Sequence, residues 1–113
     1  MDHERTIDLL SEIQTLKRLP RSGWLMRGVP HVESVAEHSL GVGLVALILA
    51  DVLTAHGDLA APLDGEKVLT LALLHDLAEV RLTDLPLSAA QLLSAPVKRQ
   101  AEEKALADLL APL

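Results

Sequence analysis

The chain has 113 residues, a length that suits one domain over residues 1–113. It contains no cysteine, which excludes disulfides and thiolate metal sites, and its net charge of −6 argues against a nucleic-acid polymer as the main ligand. The apolar content is mostly leucine (26 residues) and alanine (15 residues), which are strong helix formers. We therefore expect an all-α fold.

The N-terminal residues do not read as a signal peptide. The longest apolar run, residues 40–50, is about half of the ~20 residues that a membrane span needs. We therefore expect a cytoplasmic protein that does not contact a membrane. The mean hydropathy of +0.31 is high for a chain of this size, which suggests that a partner chain covers some apolar surface.

The first helix is predicted over residues 4–19, where apolar residues recur at helical spacing. It ends before Pro20, because the residue that precedes a proline avoids the helical conformation. Residues 20–30 contain two prolines and two glycines and are predicted to form a loop. Trp24 in this loop either fills a hydrophobic gap or serves a function, since loops often carry functional residues.

The second helix is predicted from Ser34 to about His56, with Gly57 as its C-cap. Ser34 and Glu37 match the capping box, in which each side chain satisfies a free backbone donor of the other residue. This helix should be central, because it is apolar on nearly all sides and its stripe of Val42, Val45, Leu49 and Val52 is predicted to be buried. Two glycines in one turn, at positions 41 and 43, predict close approach of a neighbouring helix.

A third helix is predicted over residues 66–80, with Asp64 as its N-cap. A short helix should follow from Ser88, where a second capping box ends at Gln91, and a final helix should run to about residue 110. The sequence therefore predicts a helical bundle of about five helices.

The third helix carries His75 and Asp76 side by side within an apolar run, and Glu79 follows one turn later on the face of His75. His38 lies near the start of the second helix, which could present it across the gap between two packed helices. Imidazole and carboxylate groups together suit a divalent cation. From the residues alone, a metal site and ordinary core or solvated histidines both remain open. The other histidines, His3, His31 and His56, are expected at the surface.

Three segments together resemble the HD-domain phosphohydrolase superfamily, and within it the 5′-deoxynucleotidase branch. They occur in the expected order and are residues 16–24 (LKRLPRSGW), 33–39 (ESVAEHS) and 75–86 (HDLAEVRLTDLP). As a set of three separated motifs they are specific. The resemblance implies an HD-type helical domain that holds one divalent metal ion (Mn, Co, Mg, Zn or Fe) and hydrolyses a deoxynucleoside 5′-monophosphate to nucleoside and phosphate.

The resemblance also implies a role for each residue of the site. The metal ligands would be His38, His75 and Asp76. Glu79 would act on the attacking water. Asp84 would help to position the substrate or to transfer a proton, and Arg21 would bind the phosphate. A carboxylate that activates a metal-bound water is chemically reasonable, since the metal lowers the pKa of the water and the carboxylate takes its proton.

The chain departs from the superfamily in one respect. Members usually supply a further metal-binding Asp from a helix well downstream, and the single late aspartate here is Asp108, in an earlier helix. Three explanations compete: the sequence is a fragment truncated at its C-terminus, a partner subunit completes the site, or the reaction has been lost and the scaffold kept. The apolar C-terminus favours the first, and exposed core leucines would then predict a homodimer.

Two other functions stay open at this stage. One is a catalytically silent HD-like domain that binds a nucleotide or a partner protein. The other is a helical interaction module whose histidines have no role in binding. Metal content distinguishes the interaction module from the HD-type phosphohydrolase and the silent HD-like domain. Turnover distinguishes the enzyme from the silent domain.

Overall fold

The computed structural model describes residues 3–57 and 59–113, and its regular elements in those ranges are all helices. The predicted all-α class is therefore confirmed. Met1 and Asp2 of the N-terminus, and Asp58 of the loop after the second predicted helix, lie outside the described residues. The α-helices are α1 (His3–Ile13), α2 (Ser22–Met26), α3 (Val35–His56), α4 (Gly65–Leu74), α5 (Glu79–Leu82), α6 (Leu87–Ala90) and α7 (Ala95–Leu110), and a 3₁₀ helix (Gln14–Lys17) follows α1.

Three predicted elements have different boundaries in the structure. The predicted first helix is α-helical only from His3 to Ile13 and continues as the 3₁₀ helix Gln14–Lys17. The predicted loop at residues 20–30 contains α2, and the predicted third helix stops at Leu74 instead of continuing to residue 80. Residues 75–78 form a tight turn in which amide groups bond to carbonyls three residues back, as from Leu77 to Leu74 at 3.0 Å. Leu77 and Ala78 are each 6% exposed, so burial of this turn in the core outweighs the local helix propensity.

The predicted helix starts are confirmed at two positions and wrong at a third. The Ser34 hydroxyl accepts from the Glu37 amide at 3.1 Å while the Glu37 carboxylate accepts from the Ser34 amide at 2.6 Å, which completes the capping box of α3. Asp64 caps α4 by accepting from the Lys67 amide at 3.0 Å. The second capping box does not form, because Pro86 is the N-cap of α6 and Ser88 lies inside that helix.

The hydrophobic core joins residues that are remote in the sequence. Its members come from α1, the 3₁₀ helix, the first residue of α3, the turn at residues 75–78 and α7; they are Leu9, Leu16, Val35, Leu77 and Leu109. Val35 lies three residues before His38, and Leu77 directly follows Asp76. The core therefore fixes the two segments that carry the predicted metal ligands.

The α3 helix packs mainly on α4, and its opposite side is exposed. The predicted buried stripe is wrong for Val45, Leu49 and Val52, which are 57%, 52% and 48% exposed. We call the exposed apolar side of this helix the α3 outer face; it consists of Leu40, Leu44, Val45, Ile48, Leu49 and Val52. Among the described helices, α3 is the one whose length and composition would allow it to cross a membrane, a property that core helices of soluble proteins share.

The close approach of α3 and α4 depends on Gly43 and not on Gly41. A Cβ atom at Gly43 would lie 3.2 Å from Leu73 Cδ2 and 3.3 Å from Leu69 Cδ1, whereas a Cβ at Gly41 would meet nothing within 4 Å. The prediction of a close helix contact is therefore confirmed for Gly43 and wrong for Gly41.

We expect Gly43→Leu to lower the free energy of unfolding by about 1–3 kcal/mol, because the larger side chain overpacks the α3–α4 contact. The matched control Gly41→Leu should leave it unchanged or raise it by up to about 1 kcal/mol, since it improves helix propensity in open space. Urea unfolding followed by far-ultraviolet circular dichroism measures both. Equal destabilisation by the two variants would contradict the packing described here.

Candidate metal centre

A short backbone pairing and the α3 capping box place Arg21 and His38 next to each other. The Arg21 amide donates to the Glu33 carbonyl at 3.0 Å, and the Val35 amide donates to the Leu19 carbonyl at 2.8 Å. This pairing brings the start of α2 alongside the start of α3. The capping box then sets the first turn of α3, on which the His38 imidazole is 23% exposed.

His75 and Asp76 lie where α4 ends and the tight turn begins. The His75 Nδ1 atom is 2.6 Å from the Ala72 carbonyl oxygen. Because a carbonyl can only accept, this contact places the proton of the neutral ring on Nδ1 and leaves the lone pair on Nε2. The Nε2 lone pair then faces the Asp76 carboxylate.

One carboxylate oxygen, Asp76 Oδ2, is shared by three side chains. It lies 2.9 Å from His75 Nε2, 3.6 Å from His38 Nε2 and 3.6 Å from Arg21 Nη1. It is buried and has no hydrogen-bond partner among the described residues. The two imidazole rings meet edge to face, with their centroids 5.6 Å apart.

This donor set fits a divalent cation. One ligand atom from each of His38, His75 and Asp76 lies within 4.8 Å of the other two. With the His75 proton on Nδ1, Nε2 and the Asp76 oxygen are two acceptors only 2.9 Å apart, and a cation bound to both would relieve their repulsion. Two nitrogens and one carboxylate oxygen suit several divalent metals at bond lengths of about 2.0–2.2 Å.

Glu79 lies on the same cavity as the cluster, at the start of α5. Burial, followed by repulsion from Asp76 and Asp84, raises the pKa of the Glu79 carboxyl from 4.5 to about 7, although Arg21 and Lys98 oppose the shift. Its Oε2 atom is buried and has no hydrogen-bond partner within the described ranges. A carboxyl that changes protonation near neutral pH is suited to general acid–base chemistry.

Asp84 ties the start of α2 to the site. Its Oδ2 atom accepts from the Ser22 amide at 2.9 Å and lies 3.3 Å from Arg21 Nε. The preceding residue, Thr83, has a φ of 61°, a conformation that is strained for a β-branched residue and that is found more often at functional sites. In this geometry Asp84 holds Arg21 in place.

All six residues predicted for the site line one cavity of about 460 Å³, a volume typical of ligand sites. Sequence reasoning missed Lys98 and Glu102, which line the α7 side and lie 3.3 Å apart, Nζ to Oε1. They belong to a charged face of the last helix, and the sequence alone does not distinguish such a face from an ordinary solvated one. Asp108 lies elsewhere. The hydrogen bond from Arg81 to Glu12, at 2.8 Å, raises the pKa of Arg81, and the charge of Asp108 adds to this shift.

Comparison with known proteins identifies the family. The family model for the HD domain matches residues 13–113. The chain belongs to the HD domain family. This membership agrees with the His-His-Asp cluster that α3 and the end of α4 bring together.

Individual relatives agree with the family assignment. The chain is 30% identical to the human 5′-deoxynucleotidase HDDC2 over 88% of its own length and 44% of that protein, and 38% identical to a 5′-deoxynucleotidase of Erwinia tasmaniensis over 76% and 40%. A solved structure of a conserved hypothetical protein from Pyrococcus furiosus matches with a TM-score of 0.81 and 47% identity, covering 94% of this chain and 58% of that one. The chain thus spans less than half the length of the two curated relatives.

The raised pKa of Glu79 predicts a pH-dependent contribution to stability. Because the folded-state pKa of about 7 exceeds the ordinary value of 4.5, the contribution is fully present below pH 4.5 and is lost as the pH rises through 7. In metal-free protein, we expect the free energy of unfolding of the wild type to fall relative to Glu79→Gln by about 1–2 kcal/mol between pH 4.5 and 8, after allowance for solvent screening.

Urea unfolding at a series of pH values, with a chelator present, measures this difference. Exposed Gln100→Ala serves as a control, because it removes no titratable group and its pH dependence should match that of the wild type. Parallel wild-type and Glu79→Gln curves across pH 4.5–8 would show that Glu79 has no raised pKa.

Proposed function

We propose that this HD-domain chain is a metal-dependent phosphohydrolase that converts deoxynucleoside 5′-monophosphates to nucleoside and inorganic phosphate. The observation that carries the proposal is the convergence of two imidazoles and Arg21 on Asp76 Oδ2, in one cavity with Glu79. The names of the curated relatives support the substrate class.

His38, His75 and Asp76 would hold the divalent ion, and the metal identity stays open among Mn, Co, Mg, Zn and Fe. A bound divalent ion lowers the pKa of a water molecule and neutralises charge on a phosphoryl group. The hydrogen bond from His75 Nδ1 to the Ala72 carbonyl keeps Nε2 available as a ligand. His38 Nδ1 lies 3.5 Å from Glu33 Oε1, so the other ring nitrogen, Nε2, is the one that faces Asp76.

Arg21 would bind the phosphate group. Its guanidinium is held between Asp76 and Asp84 at 3.6 and 3.3 Å and keeps further N–H donors free to face a ligand. A planar guanidinium can donate two parallel hydrogen bonds to a phosphate, which fixes its orientation. Asp84 acts through Arg21 and the Ser22 amide, and is in this sense a positioning residue.

Glu79 would act as the general base and then as the general acid. As the base it takes a proton from the attacking water, whose oxygen forms a new bond to phosphorus. As the acid it returns that proton to the 5′ oxygen when the bond between phosphorus and this oxygen breaks, so the products are phosphate and a neutral nucleoside hydroxyl. A pKa near 7 suits both steps at neutral pH.

A second candidate function is a catalytically silent HD domain that binds a nucleotide or a partner protein. It is favoured by the position of Asp108 beside Arg81, which leaves three side chains, His38, His75 and Asp76, in the ligand cluster found among the described residues. A nucleotide ligand would be a free nucleotide, since the net charge of −6 disfavours a nucleic-acid polymer.

The proposal extends to assembly and location. A homodimer would cover the α3 outer face, where six large apolar side chains are about half exposed. The first turn of the same helix carries His38, so an assembly through this face would lie directly beside the metal centre. We propose that the protein acts in the cytoplasm and does not bind a membrane.

Phosphate release from deoxynucleoside 5′-monophosphates, with Mn²⁺, Co²⁺, Mg²⁺ and Zn²⁺ added singly, tests the proposal. We expect turnover with at least one metal, abolished by His75→Ala. Glu79→Gln should reduce kcat about 10²–10⁴-fold because the proton acceptor is lost. Arg21→Ala should raise KM more than Arg21→Lys does.

His56→Ala is the matched control, because this exposed histidine ends α3 far along the helix from His38, and its kinetics should equal those of the wild type. Stoichiometric metal binding without turnover would favour the silent domain. Turnover that is indifferent to chelators and to His75→Ala would contradict the proposal.

A further inference from the structure

One side of α7 forms a wall of the metal cavity and has no role in the mechanism above. Lys98, Ala101 and Glu102 line the cavity at spacings of three and four positions, which places them on one side of the helix. Arg99 and Glu103, which come between and after them, line a different groove. The charged residues of α7 are therefore divided, and the pair of Lys98 and Glu102 is directed to the cavity.

The two cations of the cavity differ in how firmly they are held. Among the described residues that line it, the side chains with a positive charge at neutral pH, histidines aside, are Arg21 and Lys98. Arg21 lies 3.6 Å from Asp76 and 3.3 Å from Asp84, so two carboxylates already offset its charge. A phosphate monoester carries about 1.5–2 negative charges at pH 7 and accepts several hydrogen bonds, so it could bind a second cation as well.

The contact between Lys98 and Glu102 leaves the ammonium group able to exchange partners. Nζ lies 3.3 Å from Oε1, and the two side chains are 46% and 42% exposed. An exposed pair of this kind contributes little stability, because solvent screens the charges and two long side chains lose freedom. A phosphate oxygen offers the ammonium group a shorter, charge-assisted hydrogen bond, and the flexible stem of lysine allows the movement.

The charge of Lys98 already acts on the reacting part of the cavity. Burial and nearby carboxylates raise the pKa of Glu79, and the two cations that oppose this rise are Arg21 and Lys98. The proximity has a structural reason, because α7 packs on α5, the short helix that begins at Glu79. A phosphate on Arg21, beside Glu79, would therefore lie in the region where Lys98 acts.

We propose that Lys98 is a second phosphate-binding residue, whose ammonium group leaves Glu102 and binds the phosphate from the α7 side of the cavity. The proposal rests on the proposed function and adds a residue of α7 to its binding site. Glu102 holds Lys98 at the cavity while no ligand is bound and competes with the ligand for it. An ordinary surface pair, or a lysine that acts on Glu79 alone, are the other outcomes of the test.

Calorimetric titration with inorganic phosphate, in the presence of Mn²⁺, tests the proposal without turnover. We expect Lys98→Met to raise the Kd for phosphate about tenfold or more, and Lys98→Arg to raise it less because arginine keeps the charge. Lys104→Met is the matched control, since it removes the same charge from an exposed position of α7 outside the cavity, and its Kd should stay within about twofold of the wild type. Deoxythymidine, which has no phosphate, should bind the wild type and Lys98→Met equally.

Kinetics provide an independent measurement. Lys98→Met should raise KM for deoxythymidine 5′-monophosphate about tenfold while changing kcat less, because the contact is made in the bound substrate as well as in the transition state.

A double-mutant cycle tests the exchange of partners. Glu102→Gln removes the competing carboxylate, so it should lower the Kd for phosphate about two- to fivefold. In the Lys98→Met background the same change should have a smaller effect, because no ammonium group remains to be released. Glu103→Gln removes an equal charge from outside the cavity and should behave as the wild type.

The outcomes separate this proposal from the proposed function. Phosphate binding that depends on Lys98, without hydrolysis under any metal, would refute the reaction and support the lysine site. Hydrolysis with KM and the phosphate Kd unchanged in Lys98→Met would overturn the lysine site and leave the reaction standing. A change in kcat alone would also overturn it and assign Lys98 to Glu79. Neither phosphate binding nor hydrolysis by the wild type would overturn both, and if Lys98→Met does not fold, the Glu102→Gln titration decides.

Discussion

The packing of Val35 and Leu77 into one core is the constraint on which the site depends. Val35 is fully buried and Leu77 is 6% exposed, and both contact the cluster that includes Leu109. Because Val35 begins the helix of His38 and Leu77 follows Asp76, a single apolar contact region fixes two chain segments that are remote in sequence. The separation of 3.6 Å between His38 Nε2 and Asp76 Oδ2 follows from this arrangement.

The site holds more polar groups than its own residues satisfy. Arg21 Nε, Asp76 Oδ2 and Glu79 Oε2 are buried without a hydrogen-bond partner in the described part of the chain. Such groups are costly in a fold that serves no function, because burial removes water that would otherwise solvate them. Two of these groups match a component of the proposed reaction, a cation for Asp76 and a water proton for Glu79, whereas Arg21 Nε faces Asp84 Oδ2 at 3.3 Å. The strained backbone of Thr83 belongs to the same pattern.

The sequence predicted the all-α class, the capping box of α3 and the residues that line the cavity, because caps and separated motifs are local signals. It did not predict the end of α4 at Leu74, since residues 75–80 keep a helical composition and only tertiary burial of Leu77 breaks the helix. Periodicity also failed for α3, which is apolar on most sides and so does not indicate which side lacks a neighbour. The exposure of Trp24 depends on the path of α2. The sequence does not predict this helix, because it lies in a segment whose prolines and glycines indicate a loop.

The proposed function requires that α3 and the end of α4 together form a metal site at Asp76 Oδ2. Anomalous diffraction from crystals of the Zn²⁺-loaded protein, collected above and below the zinc edge, tests it most directly. We expect one strong peak about 2.0–2.2 Å from His38 Nε2, His75 Nε2 and Asp76 Oδ2. A fully occupied peak elsewhere, such as beside Glu12 and Asp108, with none at the His-His-Asp cluster, would contradict it.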